Sequence, residues 1–106
     1  MVEEISPTEL VRQRDAGKPW QLVDVREAWE CEIASVAEAV HIPMAEIPLR
    51  QSELDSSRPV AVMCHSGGRS AQVAAYLAEH GFARVANVTG GIDAWSAVVD
   101  SSIPRY

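Results

Sequence analysis

The residues best suited to chemistry in this chain lie together in Cys64-His65-Ser66-Gly67-Gly68-Arg69-Ser70. The thiol follows a continuous apolar run, Val60-Ala61-Val62-Met63, the pattern of a strand covered on both faces. Two glycines come next, and Arg69 opens a helical pattern. Glycine permits the positive φ values that turn consecutive amides into one concavity, a nest for an anion. The helix N-terminus that follows also favours negative charge. Cys64 is therefore expected to act as a nucleophile held in an anion-binding loop. Cysteines in such settings have pKa values of about 3.5–7.5, against about 8.5 for a free thiol. Arg69, at Cys-x4-Arg spacing, has two readings: a planar fork for an anionic substrate, or a stabiliser of the thiolate. Ser66 and Ser70 can donate further hydrogen bonds. His65 adjoins Cys64 in sequence, but neighbouring side chains in a tight loop diverge, so no Cys–His dyad is expected.

A loop of this kind has to be aimed by strands and helices, and the chain alternates them. Glu4-Ile5 can hold only a very short strand. Ser6-Pro7-Thr8-Glu9 then reads as a helix start, with a Ser N-cap, Pro at the first helical position and Glu three residues after the cap. Trp20 to Val25 is a second strand that delivers Asp24 and Arg26 to its C-terminal end. Glu27 to Ile33 is a short helical turn, and Ala39-Val40-His41-Ile42, closed by Pro43, a third strand. Met44 to Leu54 reads as a helix interrupted by Pro48. Val60 to Met63 is the fourth strand. The next helix carries Ser70, Val73, Ala74, Leu77 and Ala78 on one stripe, and Gly81-Phe82 suits a Schellman-type end. Arg84 to Val88 makes the fifth strand. A last helix sets Ile92, Trp95, Ser96 and Val99 on one face, and residues 100–106 form an irregular tail.

This order predicts an α/β domain of three layers, with a five-stranded, mostly parallel sheet and helices on both faces. Ligands in such sheets collect at the carboxyl ends of the strands. Asp24, Arg26, Cys64 to Arg69 and Thr89-Gly90-Gly91 all fall there. At 106 residues the chain reads as one domain, spanning 1–106. Its formal net charge of −6 argues against a nucleic-acid or anionic-membrane partner. Two cysteines are too few for a disulfide framework or a zinc site. No apolar run approaches a membrane span, and the start lacks the basic and apolar regions of a signal peptide, which makes cytoplasmic the expected location.

Four motifs in order, Leu22-Val23-Asp24-Val25-Arg26-Glu27, His41-Ile42-Pro43, Cys64 to Ser70 and Gly90-Gly91-Ile92-Asp93-Ala94-Trp95, resemble a single-domain rhodanese from Ile5 to about Val99. The resemblance implies a three-layer rhodanese-like domain and a thiosulfate:cyanide-type sulfurtransferase without organic cofactor or metal. The cysteine matching Cys64 would take sulfur from a small anionic donor such as thiosulfate, carry it as a persulfide, and pass it to cyanide, a thiol or a protein acceptor. The persulfide would sit among the amides of His65, Ser66, Gly67, Gly68, Arg69 and Ser70, with Arg69 helping to bind the donor. Related phosphatases have Cys-x5-Arg, so the shorter loop favours sulfur over phosphate. One departure stands out: Ser35-Val36-Ala37-Glu38-Ala39 replaces a usual His-Ile-x-Gly-Ala stretch, with Ser35 for His and Glu38 for Gly.

Each residue also has a plainer reading. Asp24 and Arg26 read first as a structural ion pair and second as substrate contacts. Trp95 reads as core that could also line the pocket mouth. Cys31 reads as structural, with a resolving role for Cys64 as the alternative. His41 is a polar strand residue, and His80 suits a helix C-terminus. Glu3, Glu4, Glu27, Glu30, Glu32, Glu46 and Glu53 read as a solvated acidic face. The rival functions are a sulfur-carrier or regulatory binding module with little turnover of free thiosulfate and, further off, a phosphatase or arsenate reductase.

Overall fold

Strand pairing decides where the loop sits. In the computed structural model, which describes residues 2–106, five strands form one sheet in the order β1-β5-β4-β2-β3, every pair parallel. The strands are β1 (Val2–Ile5), β2 (Gln21–Asp24), β3 (Val40–His41), β4 (Val60–Met63) and β5 (Val85–Val88). The helices are α1 (Pro7–Asp15), α2 (Ala28–Ile33), α3 (Ile47–Arg50), α4 (Gly68–Glu79) and α5 (Gly91–Val98). The expected mostly parallel sheet is thus fully parallel over these residues.

Strand side chains alternate between two cores. Leu22, Ala61, Met63, Ala86 and Val88 pack with Leu10 of α1 and with Ile92 and Trp95 of α5. Val23, Val60, Val62 and Val85 pack with Ile47 of α3 and with Val73, Ala74 and Leu77 of α4. All four residues of β4 are buried, as its unbroken apolar run requires. The chain leaves β2 toward β3 on one side and leaves β4 toward β5 on the other. A crevice between two strands whose connections diverge is the usual ligand site of such sheets. Here it lies between the ends of β2 and β4, where Asp24 stands beside Met63.

Local chemistry explains the boundaries. Ser6 Oγ accepts from Glu9 N at 3.1 Å, but the Glu9 carboxylate turns to Arg12 and Gln13 and not back to the cap. A capping box forms instead at α2, between Glu27 and Glu30. The Met44–Leu54 stretch is three short pieces, the 3-10 turns Met44–Glu46 and Gln51–Glu53 around α3. Pro48 lies in the first turn of α3, where its missing N–H costs nothing. β3 is shorter than expected, pairing with β2 only through Val40 and His41. Gly81 takes φ +93°, and Phe82 N donates to Leu77 O at 3.2 Å, the six-to-one bond of a Schellman end. Val99 lies past the end of α5 and is exposed, so it does not belong to the buried face. Among the described residues, no helix is long and apolar enough to cross a membrane.

Candidate active site

Cys64 is the first residue beyond β4, and its side chain is buried on the α4 face. Gly67 N donates to Sγ at 3.1 Å and Ser70 Oγ lies 3.3 Å away. Burial opposes ionisation of this thiol. The Ser70 hydroxyl and the amides of Ser70, Gly67 and Ser66 outweigh it, and hold the pKa below the ordinary thiol value. Only one of the two loop glycines supplies a positive φ: Gly67 at +120°, while Gly68 is already the first residue of α4. The expectation that both glycines bend the nest is therefore corrected to Gly67 alone.

Behind Ser70 lies Asn87, the polar member of the otherwise apolar strand Val85-Ala86-Asn87-Val88. Its Nδ2 faces Gly67 O at 3.3 Å and the Glu4 carboxylate at 3.3–3.4 Å. Those acceptors fix the amide's orientation and leave Oδ1 to receive the Ser70 hydroxyl at 2.5 Å. A hydroxyl has one proton. Ser70 can give it to Asn87 while accepting from a neutral thiol, or turn it toward a thiolate.

The back of the loop rests on α5. Ile92 N donates to Cys64 O at 2.9 Å, and Asp93 N to His65 O at 3.1 Å. The approach is close enough to exclude a side chain at Gly91: a Cβ there would stand 2.3 Å from Cys64 O and 2.5 Å from His65 O. Gly90-Gly91 thus supplies backbone geometry beside the loop.

Asp24 and Arg26 are fully buried and form a salt bridge at 2.6 Å. Arg26 also donates to Ala34 O at 2.7 Å and to Tyr106 Oη at 2.9 Å. The pair ties β2, α2 and the C-terminal segment together, as the structural reading expects. His41 adds a 2.7 Å hydrogen bond between its Nε2 and Arg26 O.

Glu30 does not lie on a solvated face. Its side chain is 4% exposed and takes both terminal nitrogens of Arg69, at 2.6 and 2.8 Å. The Arg69 guanidinium holds the Glu30 carboxyl at about 2, against the opposing effect of burial. Tyr106 donates to Glu30 at 2.9 Å, and its ring stacks on His65 with centroids 4.1 Å apart. His65 is thus engaged by Tyr106, and its ring makes no hydrogen bond to Cys64. The C-terminal stretch is irregular but docked, with Ile103 buried in the core and Tyr106 at the loop.

Trp95 is core and edges a different cleft, of about 550 Å³, shared with Val11, Cys31, Val36, Glu38 and Ile103. The Cys31 thiol lies 3.7 Å from Asp24 Oδ2. Burial, and then the Asp24 charge, push its pKa up to about 11. That environment suits an inert thiol and weighs against a resolving role.

Glu30, Asn87 and Tyr106 are the site neighbours that sequence reasoning passed over. Asn87 left a signal, a polar residue inside an apolar strand. Glu30 and Tyr106 left none, since their meeting with Arg69 and His65 depends on tertiary packing.

Comparison with known proteins places the whole arrangement. The family description "Rhodanese-like domain" matches residues 6–98. A sulfurtransferase of Allochromatium vinosum is 40% identical over 96 residues, covering 91% of this chain and 90% of that protein. The thiosulfate sulfurtransferase GlpE of Coxiella burnetii is 33% identical over 96 residues, covering 91% and 86%. The crystal structure of a rhodanese-like domain protein from Staphylococcus aureus superposes with a TM-score of 0.84 at 31% identity, covering 99% of both chains. A match that runs from the cap of α1 to the last residue of α5 takes in the loop, the strands β2 to β5 and all five helices, and the chain belongs to the rhodanese-like domain family.

Proposed function

We propose that this chain is a sulfurtransferase in which Cys64 carries sulfane sulfur as a persulfide. The observation that carries the reading is the setting of Sγ, buried yet facing the Gly67 amide at 3.1 Å and the Ser70 hydroxyl at 3.3 Å. The Cys64 thiolate attacks the outer sulfur of a donor. A new S–S bond forms, the donor's own S–S bond breaks, and its electron pair leaves with the departing group, sulfite when the donor is thiosulfate. An acceptor nucleophile, cyanide or a thiol, then attacks the outer sulfur and returns Cys64 to the thiolate. No outside oxidant or reductant enters. The Gly67 amide and the Ser70 hydroxyl stabilise negative charge on Sγ.

The test is intact-protein mass spectrometry after exposure to a sulfane-sulfur donor. The expected result is a one-sulfur adduct that cyanide removes and that Cys64→Ser abolishes. An adduct that persists in Cys64→Ser overturns the assignment of the nucleophile.

A second reading, a sulfur carrier that docks to a dedicated protein, gains support from Trp29. This residue is 58% exposed and packs edge-on against Tyr106, with centroids 6.3 Å apart. An exposed tryptophan beside a reactive loop fits an interface anchor. Under that reading, Trp29→Ala lowers transfer from a protein persulfide and leaves transfer from a small donor unchanged.

A further inference from the structure

A small anionic donor needs a cation at the mouth of the loop, and the two arginines nearest the site are already engaged. Arg26 has no exposed surface and is held by Asp24. Arg69 is partly exposed, but both of its terminal nitrogens lie on Glu30. Glu30 is not a carboxylate free to swing away. Glu27 N donates to it at 2.9 Å and Tyr106 Oη at 2.9 Å, and its side chain is almost wholly buried. A donor anion that captured Arg69 would leave a buried carboxylate without its partner, a costly exchange. With Cys64 ionised, the thiolate, Arg69 and Glu30 together leave one net negative charge for an incoming donor to meet.

The geometry points to Glu30 as a specificity-determining residue that turns the Cys64 loop away from small dianionic donors such as thiosulfate and toward sulfur presented on a thiol, as a hydropersulfide that brings no dianion to the loop and reacts in its protonated form. This inference rests on the reading of Cys64 as the sulfur carrier. The transfer balances without a co-reactant. Cys64 thiolate attacks the outer sulfur of R–S–S–H, the new S–S bond forms as the old one breaks, the electron pair leaves with R–S⁻, and the proton stays on the transferred sulfur.

The experiment compares kcat/KM for thiosulfate and for an alkyl hydropersulfide with no other charged group, at one fixed pH, in the wild-type protein, Glu30→Gln and Glu79→Gln. Glu79, exposed at the far end of α4, gives a control with the same change in net charge. Removing one unit charge about 6 Å from a dianion in a water-like medium is worth about tenfold. The wild-type protein should favour the hydropersulfide. Glu30→Gln should narrow that preference about tenfold by raising kcat/KM for thiosulfate, and Glu79→Gln should not change it. A wild-type preference for thiosulfate, or a preference that Glu30→Gln leaves unchanged, overturns the inference. If Glu30→Gln does not fold, Glu30→Gln/Arg69→Gln removes both charges and should keep the wild-type preference. Its loss there would also overturn the role given to charge. Failure of Cys64 to take sulfur from either donor is a separate outcome that removes the sulfur-carrier reading itself.

Discussion

Replacing Gly91 with alanine tests how the Cys64 loop is held, and it can be set against a matched control. Gly91 has φ +57° and Gly17 has φ +89°, so alanine at either site enters a conformation that costs it roughly 1–2 kcal/mol. The surroundings differ. Nothing lies within 4 Å of a Cβ on Gly17, whereas a Cβ on Gly91 would stand 2.3 Å from Cys64 O, 2.5 Å from His65 O and 2.7 Å from His65 C. Those contacts are backbone, which cannot rotate aside, so the loop and the start of α5 must separate. Separation breaks the hydrogen bonds from Ile92 N and Asp93 N, each worth about 1 kcal/mol. Gly17→Ala should therefore lose about 1–2 kcal/mol, and Gly91→Ala about 3–4 kcal/mol. Urea unfolding of both variants measures the difference, and the rate of Cys64 alkylation at pH 7 reports loop displacement. Equal losses in the two variants, with alkylation of Gly91→Ala at the wild-type rate, would refute the reasoning.

Three further expectations follow from the same geometry. Ser70→Ala removes a hydrogen bond to the thiolate, which should raise the Cys64 pKa and move the pH profile of alkylation to higher pH. Cys31, pushed up to about 11, should stay unmodified while Cys64 reacts, so limited iodoacetamide at pH 7.5 should give one adduct that peptide mapping places on Cys64. Glu30 is held at about 2 against an ordinary 4.5, so its pairing stabilises the fold fully above about pH 4.5 and loses that effect as pH falls toward 2. The stability gap between the wild-type protein and Glu30→Gln, on the order of 2–3 kcal/mol at pH 7, should shrink across that window. A gap that stays constant from pH 6 to pH 2.5 in denaturant titrations would count against it.

What sequence alone reveals here follows the range of the forces involved. β4 and α4 are legible because burial on both faces and a 3.6-residue stripe leave direct marks in residue type, and the β4 boundaries agree with the structure. The Ser6 cap and the Gly81 end are equally local, each set within six residues. β3 is harder. Two residues of ladder hold it, and Ala39 and Ile42, expected in the strand, lie beyond the paired register. Glu30 is hidden in the sequence for a different reason. Flanked by Trp29 and Cys31 in a short helix, it looks like any surface carboxylate until the fold brings Arg69, 39 residues away, to both of its oxygens. Tyr106 is similar, since an irregular terminal stretch carries no periodicity to show where its ring will dock. Cys64 to Arg69 could be singled out as a reactive loop because its chemistry is contiguous, whereas the charges that surround it are assembled by the fold.

The contact between α5 and the loop also fixes how the loop's dipoles lie. A trans peptide unit is planar, with its carbonyl and amide pointing in opposite directions. When Asp93 draws the carbonyl of His65 outward, the amide of Ser66 in the same peptide unit turns toward the opposite side, where the sulfur lies, and Ile92 holds the carbonyl of Cys64 in the same way. The polarity of the pocket is thus imposed from behind, by a helix that begins 27 residues after the cysteine. Changes in the first turn of α5 can retune the thiol while every residue from Cys64 to Ser70 stays the same.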